Sequence, residues 1–466
     1  MIRLFTSLWY YGRLSLESIS FYRLSLTRPL EENDINQFVH KAIPLIEQCG
    51  CVCIKFCQWL TPILDALYNE IDHEPYWLKK LEKFYEQCQD HSLEYTYQIY
   101  KEDYKEDFHT KYIMKDIVGS GSVGQVYKIT DKYTGMDYAL KVLHPNVYFD
   151  MWFMKTLIHL LLWIPYTRIM IYHILPFNIH EFIELFETQI DMIHEANNLS
   201  QMKYLHKDNS MIIIPALLKC GPHSLLMSYE EGDSIDETNR SEYDKYKSIC
   251  LLSLFVRNSL EVNNFIHGDI HKGNWKLRGN KLVIYDFGFC WSIHPKDNYL
   301  NQNIFTIGET TTKDDISNIT TYMCYTLNCH TERIKASIQE YYKNPTNTFT
   351  DPVILFKIIC RVAIHNNLLI PPNNILGIIM IIQTQKYWTK YSLNNENEQF
   401  ETNEYIFRNL YLNNLSLCQT YDIFPELQSS FKTTLNKQQV PVNELFDIVD
   451  QSKGITDEVR SLLTFE

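Results

Sequence analysis

The sequence has no excess of basic residues and little glycine. With 43 lysines and arginines against 56 acidic residues, its formal charge is −13. The chain shows no basic stripe or patch of the kind that holds nucleic acid. A nucleic-acid partner is therefore not expected. The 15 glycines are few for 466 residues, so a local cluster of them is informative.

The sequence also lacks an uninterrupted apolar run of 18 residues, the usual minimum for a transmembrane helix. The nearest approach is Met151–Phe177, which is interrupted by Lys155, His159, Pro165, Arg168 and His173. Two interpretations stay open for this segment. It forms buried or partner-facing helices, or it contacts a membrane surface.

No secretory signal peptide is recognisable, and the 12 cysteines are spread along a large chain, so we expect a reducing intracellular compartment. The first sixteen residues carry two arginines and no acid. This composition is compatible with a mitochondrial presequence and equally with an ordinary amphipathic helix. Mitochondrial or membrane-associated locations both remain open.

Four cysteines lie within "CGCVCIKFC", which begins at Cys49. A structural metal site would need these thiolates to converge in a tetrahedron. On a helix Cys53 and Cys57 share a face, whereas Cys49 and Cys51 point elsewhere. We therefore expect small buried apolar side chains here rather than metal ligands.

The order of predicted elements indicates an α+β protein. Residues 1–110 have helical spacing, and three strands separated by a glycine turn and a hairpin turn follow between 112 and 142. "MIIIPAL" and "HSLLMSY" read as two further strands, which would complete a five-stranded sheet before a mainly helical half. This is the order of a bilobal protein-kinase-like fold, with a small antiparallel-sheet N-lobe, a helical C-lobe and an N-terminal helical extension. The predicted domains are 1–110, 111–235, 236–391 and a C-terminal helical segment, 392–466.

The first glycine cluster, "GSGSVGQV", fits a phosphate-binding loop between two strands, where glycine lets backbone N–H groups approach phosphate oxygens. Lys141 lies in the third strand, where a kinase lysine would bind the nucleotide phosphates. Glu195 is the best candidate to orient it, with Asp191 one turn earlier. The expected nucleotide contacts are Gly119, Ser120, Gly121, Ser122, Gly124, Val126, Ala139, Lys141 and Tyr229.

The second glycine-rich window is the strongest signal in the chain, "FIHGDIHKGNWKLRGNKLVIYDFGF". Asp269 is placed to accept or orient the proton of a substrate hydroxyl. Asn274, five residues later, and Asp286, in Asp-Phe-Gly, supply oxygen ligands of the type that Mg²⁺ takes on a nucleotide. The two windows together predict binding of ATP with Mg²⁺.

The catalytic loop departs from that of protein kinases. Gly268 replaces the usual arginine, His271 replaces the lysine, and no Ala-Pro-Glu segment follows Asp286. From about residue 35 to 390 the chain resembles the UbiB or aarF-domain-containing (ABC1-like) atypical kinases, most closely the second aarF-domain-containing subgroup. The motifs that carry the likeness are "IKFCQWL", "GSGSVGQVYK", "ALKVLHP", "LFETQIDMIHEANNL", "FIHGDIHKGN" and "VIYDFG".

The resemblance implies an atypical kinase or ATPase in lipid or quinone (coenzyme Q) metabolism. Its implied partners are a lipid or quinone-like molecule and a membrane surface. It makes Lys141, Glu195 and Asp269 the catalytic residues. It also implies that the family's Lys-x-Gly-Gln motif, here Lys55 to Gln58, restrains protein phosphorylation by lying over the active site.

Three departures from the family pattern bear on that role. Cys57 stands at the glycine of the first motif. Gln189 replaces a carboxylate of the family's Glu-x-Asp motif, so that Asp191 alone would pair with Lys55. The phosphate loop is "GSGS" rather than alanine-rich, which leaves phosphotransfer open. A Ser/Thr protein kinase and an ATP-binding pseudokinase scaffold remain alternatives.

Overall fold

The computed structural model describes residues 2–68, 80–81, 90–236 except 208, 210 and 211, 263–292 except 280, 313–342 and 352–391. A few isolated residues between 240 and 259 are also described. The predicted segment 392–466 lies outside the described residues, as do Cys88, Cys250 and Cys418.

Helices occupy most of the described chain. They are α1 (Ile2–Thr27), α2 (Glu32–Cys49), α3 (Cys51–Tyr68), α4 (Leu93–Tyr104), α5 (Phe108–Lys111), α6 (Val147–Trp163), α7 (Pro165–Ile174), α8 (Ile179–Glu187), α9 (Met192–Leu205), α10 (Lys313–Thr326), α11 (Glu332–Tyr342), α12 (Pro352–Asn366) and α13 (Pro372–Tyr391). Local signals set several of their ends. Ser92, for example, begins α4 by accepting a hydrogen bond from the backbone N–H of Tyr95.

The strands of the described residues form three sheets. They are β1 (Tyr112–Ser120), β2 (Gly124–Asp131), β3 (Asp137–Leu143), β4 (Ile212–Ile213), β5 (Leu217–Cys220), β6 (Ser224–Ser228), β7 (Phe265–His267), β8 (Trp275–Arg278), β9 (Lys281–Ile284) and β10 (Cys290–Ser292). The largest sheet is antiparallel, in the order β1-β2-β3-β6-β5. The two others are β10-β7 and β4-β9-β8.

The fifth strand of the large sheet differs from the prediction. The apolar run that begins at Met211 contributes β4, which pairs in parallel with β9 in a separate sheet. The fifth position is taken instead by β5, antiparallel to β6. Both segments have apolar residues suited to a strand, and pairing partners distant in sequence decide which sheet each one joins.

The turn between β2 and β3 follows the local sequence. The Asp131 carboxylate accepts hydrogen bonds from the backbone N–H groups of Tyr133 and Thr134, at 2.8 and 3.0 Å. Gly135 adopts φ +70°, a left-handed conformation that glycine takes without steric cost. This short turn brings β3, which carries Lys141, directly beside β2.

The large sheet is held by an aromatic core on the face that α4 and α5 cover. Its buried members are Ile99, Tyr100, Phe108, Tyr112, Tyr127, Ile129, Leu140, Val142 and Leu226. Because these residues alternate along β2 and β3, the opposite positions of the same strands are left for other contacts. Lys141 lies at one of those opposite positions.

The chain separates into two compact units. One comprises Met1–Ala196, Leu217–Tyr229 and Thr312–Ile379, and it holds the N-terminal helices and the five-stranded sheet. The other comprises Asn197–Ala216, Glu230–Thr311 and Met380–Glu466. The mixture of helices and antiparallel sheet agrees with the predicted class, while the bilobal arrangement and the domain boundaries stay predictions.

Candidate nucleotide-binding site

The glycine loop connects β1 to β2 in a tight reversal. The backbone N–H of Gly121 donates to the carbonyl oxygen of Gly124 at 3.0 Å. A Cβ atom at Gly124 would lie 2.7 Å from the carbonyl oxygen of Val142, so this position requires glycine. A Cβ at Gly119 would meet nothing within 4 Å, so no close neighbour excludes a side chain there.

Lys141 and Glu195 form a buried ion pair. The Nζ atom of Lys141 donates to both carboxylate oxygens of Glu195, at 2.7 and 2.9 Å. The residues are 6% and 1% exposed. A charge so far from water is stable only beside a compensating charge. The structure therefore brings together the predicted lysine and its predicted partner.

The other predicted nucleotide contacts lie on the same sheet. Val126 on β2 pairs with Lys141 on β3. Ala139, two residues before Lys141, is on the same face of β3 and is buried. Tyr229 follows β6, and its ring lies 4.4 Å from the ammonium of Lys128. These positions are set by strand register, which two-residue periodicity makes predictable.

Helix α3 carries the lysine–glutamine motif and contacts the glycine loop. Ser122 donates from its Oγ to the Oε1 atom of Gln58 at 2.9 Å, and both residues are buried. Lys55, on the same helix, is 8% exposed. The ring of Trp59 packs 3.9 Å from that of Phe182 in α8. Packing against α8 thus fixes the helix that presents Gln58 to the loop.

Asp191, of the second regulatory motif, lies directly before α9. Asp191 is exposed, and its carboxylate accepts hydrogen bonds from the N–H groups of Ile193 and His194, at 2.9 and 3.2 Å. It therefore caps α9, and the predicted pairing of Asp191 with Lys55 stays a prediction. An aspartate directly before the first helical residue is typical of such a cap and could have indicated it.

Gln189, at the altered position of this motif, lies in the 3₁₀ turn Thr188–Ile190. Its side chain is buried, and its Nε2 atom has no hydrogen-bond partner among the residues the structure describes.

In the other unit, two loops hold the predicted metal ligands. Asn274 ends the 3₁₀ turn Lys272–Asn274, and its Nδ2 atom donates to the backbone carbonyl of Asp269 at 2.8 Å. Asp286 follows β9 in a left-handed conformation, φ +55°, and its Oδ1 atom accepts from the N–H of Gly288 at 3.3 Å. The backbone N–H of Tyr285 donates to the carbonyl of Asn274, which joins the two loops.

His267 is a site residue that sequence reasoning missed. Its Nε2 atom donates to the carbonyl of Tyr285 at 2.9 Å, and its Nδ1 atom accepts from the N–H of Asp269 at 3.3 Å. Burial lowers its pKa, so the imidazole is neutral in this tautomer. His267 therefore ties the catalytic loop to the Asp-Phe-Gly loop. Its place in "HGD" was the available signal.

Gly268 stands where protein kinases have arginine, and packing explains it. A Cβ atom there would lie 2.0 Å from the indole ring of Trp291. Trp291 belongs to β10, which pairs with β7 directly before Gly268. The side chain of Trp291 therefore fills the space that a larger residue would need.

The donor set of this unit fits Mg²⁺ on a nucleotide. Asn274 uses its Nδ2 atom in an internal hydrogen bond, so its Oδ1 oxygen would be its ligand atom, and Asp286 would add a carboxylate. Magnesium in such sites takes one or two protein oxygens, with phosphate and water completing the octahedron. Among the described residues, no group of three or more His, Cys, Asp or Glu side chains is arranged to hold a metal ion by itself.

A glycine loop, a buried lysine–glutamate pair and an Asp-Phe-Gly loop define a kinase-like protein. Comparison with known proteins assigns the family. The ABC1 atypical kinase-like domain matches residues 83–322, and the chain belongs to that family. The assignment to the second aarF-domain-containing subgroup stays a prediction.

Three relatives illustrate the match. A probable serine/threonine-protein kinase, abkC, of Dictyostelium discoideum is 29% identical over 50% of this chain and 34% of its own. A mitochondrial ABC1 family protein of Schizosaccharomyces pombe is 25% identical over 64% and 46%. The chloroplastic protein ACTIVITY OF BC1 COMPLEX KINASE 1 of Arabidopsis thaliana is 28% identical over 38% and 27%. The matched region thus spans less than half the length of each relative.

Among solved structures, a Mycobacterium tuberculosis protein in complex with erythromycin covers 62% of this chain and 82% of its own. The identity is 14% and the TM-score 0.40, too low to support an argument.

Proposed function

We propose that this protein binds ATP with Mg²⁺ and acts as an atypical kinase or ATPase in lipid or quinone metabolism. The buried Lys141–Glu195 pair beside the glycine loop supports this most directly. A lysine so held is a charged donor for phosphate oxygens, and glycine-loop amides would supply further donors. Asp269 would accept or orient the proton of the attacking hydroxyl or water.

ATP binding and turnover test the proposal. We expect Lys141→Met to weaken ATP binding by about tenfold or more, since it removes a charge-assisted hydrogen bond. Asp286→Asn should abolish Mg²⁺-dependent phosphate release. Lys111→Met, at the last residue of α5 directly before β1, is the matched control. Unchanged affinity and turnover in both site variants would contradict the proposal.

The identity of the phosphoryl acceptor distinguishes the proposed function from its two alternatives, a protein kinase and an ATP-binding scaffold. Stimulation of turnover by anionic vesicles or quinone-like phenols would support the lipid or quinone role. Phosphorylation of a peptide library that is lost in Asp269→Ala would favour a protein kinase, the class named for the Dictyostelium relative. Retained ATP binding without turnover would favour a scaffold. The ring of Trp291 over Gly268, in place of a kinase arginine, weighs against peptide phosphorylation.

An apolar surface supports a membrane-surface partner. On α1 it consists of Leu4, Phe5, Leu8 and Trp9, and on α6 and α7 it consists of Trp152, Leu160, Trp163 and Ile169, all exposed. Asp150 is the only acidic residue of α6, and Arg3 neutralises it with hydrogen bonds of 2.7 and 2.8 Å. Exposed tryptophans on acid-poor helices are typical of interfacial binding to anionic lipid.

No single helix among the described residues is long and apolar enough to span a membrane. One pair, α6 and α7, meets the criterion of length and composition but is bent by 105°. Flotation with vesicles tests the surface. Trp9→Glu with Trp163→Glu should abolish co-flotation with anionic vesicles, whereas Tyr133→Glu, at an equally exposed aromatic residue in the β2–β3 turn, should not. Equal flotation of all three proteins would contradict this partner.

We also propose an organellar location, which the mitochondrial and chloroplastic names of two relatives support. Microscopy of the tagged full chain, with an organelle marker, tests it.

A further inference from the structure

A chain of hydrogen-bonded side chains ends on the backbone of the glycine loop. His144 follows β3 directly and is 6% exposed. Its Nε2 atom lies 2.8 Å from the carbonyl oxygen of Gly121. Its Nδ1 atom lies 2.9 Å from the Nδ1 atom of His91, whose ring is nearly perpendicular, at 81°. Two imidazoles therefore meet face to edge beneath the loop.

The hydrogen atoms of this chain can be assigned from its chemistry. A carbonyl oxygen only accepts, so the Nε2 atom of His144 carries hydrogen and, in the neutral ring, its Nδ1 atom accepts. The Nδ1 atom of His91 must then donate. The Nε2 atom of His91 lies 3.0 Å from the Oγ of Thr96, which donates to the hydroxyl of Tyr127 at 2.8 Å. With both rings neutral, the contacts of His144 with Gly121 and with His91 each have one donor and one acceptor.

The same two histidines also hold the loop through their backbone. The N–H of His144 donates to the carbonyl of Val123 at 3.0 Å. The N–H of His91 donates to the Oε1 atom of Gln125, the fully buried second residue of β2, at 2.9 Å. The pair thus contacts the loop at Gly121 and Val123 and the strand that follows it.

Protonation of both rings is incompatible with this geometry. A proton on the Nδ1 atom of His144 would set two N–H groups against each other at 2.9 Å. Among the residues that the structure describes, the Asp90 carboxylate is the charge that attracts a proton to both rings, while the rings of Tyr95 and Tyr127 also face His91. Burial and the neighbouring His144 lower the pKa of His91 to about 4, and burial lowers the pKa of His144.

We propose that His91 and His144 are positioning residues that hold the phosphate-binding loop only while at least one of the two imidazoles is uncharged. This regulation rests on the proposed nucleotide site. When the pair separates, the carbonyl of Gly121 loses its buried donor, and the loop loses its contact with α4 and the end of β3. The affinity for nucleotide should therefore fall with acidification beyond the effect of the nucleotide's own protonation.

Comparison of full-length variants across pH tests this proposal, with Kd for ATP-Mg²⁺ as the readout. In His144→Gln the side-chain amide can still donate to the Gly121 carbonyl but takes up no proton. We expect wild-type affinity to fall roughly three- to tenfold more than that of His144→Gln between pH 8 and 4, the effect of about one hydrogen bond, because the pKa of His91 is about 4. His144→Phe should already be weaker by a similar factor at pH 8.

Identical pH profiles for the wild type and His144→Gln would overturn the proposal. If His144→Phe does not fold, the comparison of the wild type with His144→Gln is sufficient to test the proposal. Ring ¹⁵N shifts give a readout that needs no nucleotide. Near pH 7.5 both rings should be neutral, with hydrogen on Nε2 of His144 and on Nδ1 of His91, and other tautomers would overturn the pair. Failure of wild-type ATP binding at pH 8 would instead refute the proposed function, while the ¹⁵N result would still stand.

Discussion

Removing the charge of Glu195 should strongly destabilise the unit that contains the large sheet. Glu195→Leu leaves the Lys141 ammonium, 6% exposed, without the carboxylate that lies 2.7 and 2.9 Å away. At an effective dielectric constant near 20, two unit charges about 3 Å apart attract by about 5 kcal/mol. Because the desolvation cost of the lysine remains, we expect the free energy of unfolding to fall by about 3–5 kcal/mol.

Urea unfolding followed by tryptophan fluorescence measures this change as a shift of the midpoint at constant m. The double variant Lys141→Met with Glu195→Leu should recover most of the loss, since apolar side chains of similar volume replace both charges. Glu106→Leu is the control, because its pair with Lys219 is exposed, and it should cost less than about 1 kcal/mol. The reasoning would be refuted if the losses in free energy of unfolding of Lys141→Met and Glu195→Leu added up in the double variant. A loss below about 1 kcal/mol in Glu195→Leu would refute it as well.

Three further predictions concern the glycine loop and His267. Gly124→Ala should lower stability by about 1–3 kcal/mol, since its methyl group would meet a β3 carbonyl at 2.7 Å, whereas Gly119→Ala should not. Thermal melts compare the two. Ser122→Ala should cost about 1 kcal/mol and add nothing to Gln58→Leu, because both remove one hydrogen bond; additive losses would contradict this. Stability should fall as pH drops below about 6.5, since unfolded but not native His267 takes up a proton, and His267→Gln should reduce that slope.

The candidate nucleotide site was predictable where both the residue types and their spacing match the kinase pattern. The glycine loop, Lys141 and Glu195 were recognised because each residue type has one expected place in a strand-turn-strand pattern. The fifth strand was assigned to the wrong apolar segment, because the choice between two such segments depends on which partner strand is nearby. The helix cap formed by Asp191 was not predicted, and the pairing of Asp191 with Lys55 stays a prediction.

Other contacts could not be read from the sequence at all. Gln58 and Ser122 are 64 residues apart, and His91 and His144 are 53 apart. From the sequence alone, each of these polar residues could equally be predicted to lie exposed on the surface. The packing of α3 against α8, and of α4 against the sheet, is what buries them and brings them into contact.

By itself, the sequence determined the class of protein and the residues of its proposed chemistry. Glycine spacing, strand periodicity and the Asp-Phe-Gly motif are local patterns, and local patterns can be read from the sequence without knowing the fold. The tertiary structure decided which charges meet, which strand completes the large sheet and which proton each histidine carries. Those outcomes depend on burial and on distances between residues far apart in the chain, which exist only after the chain has folded.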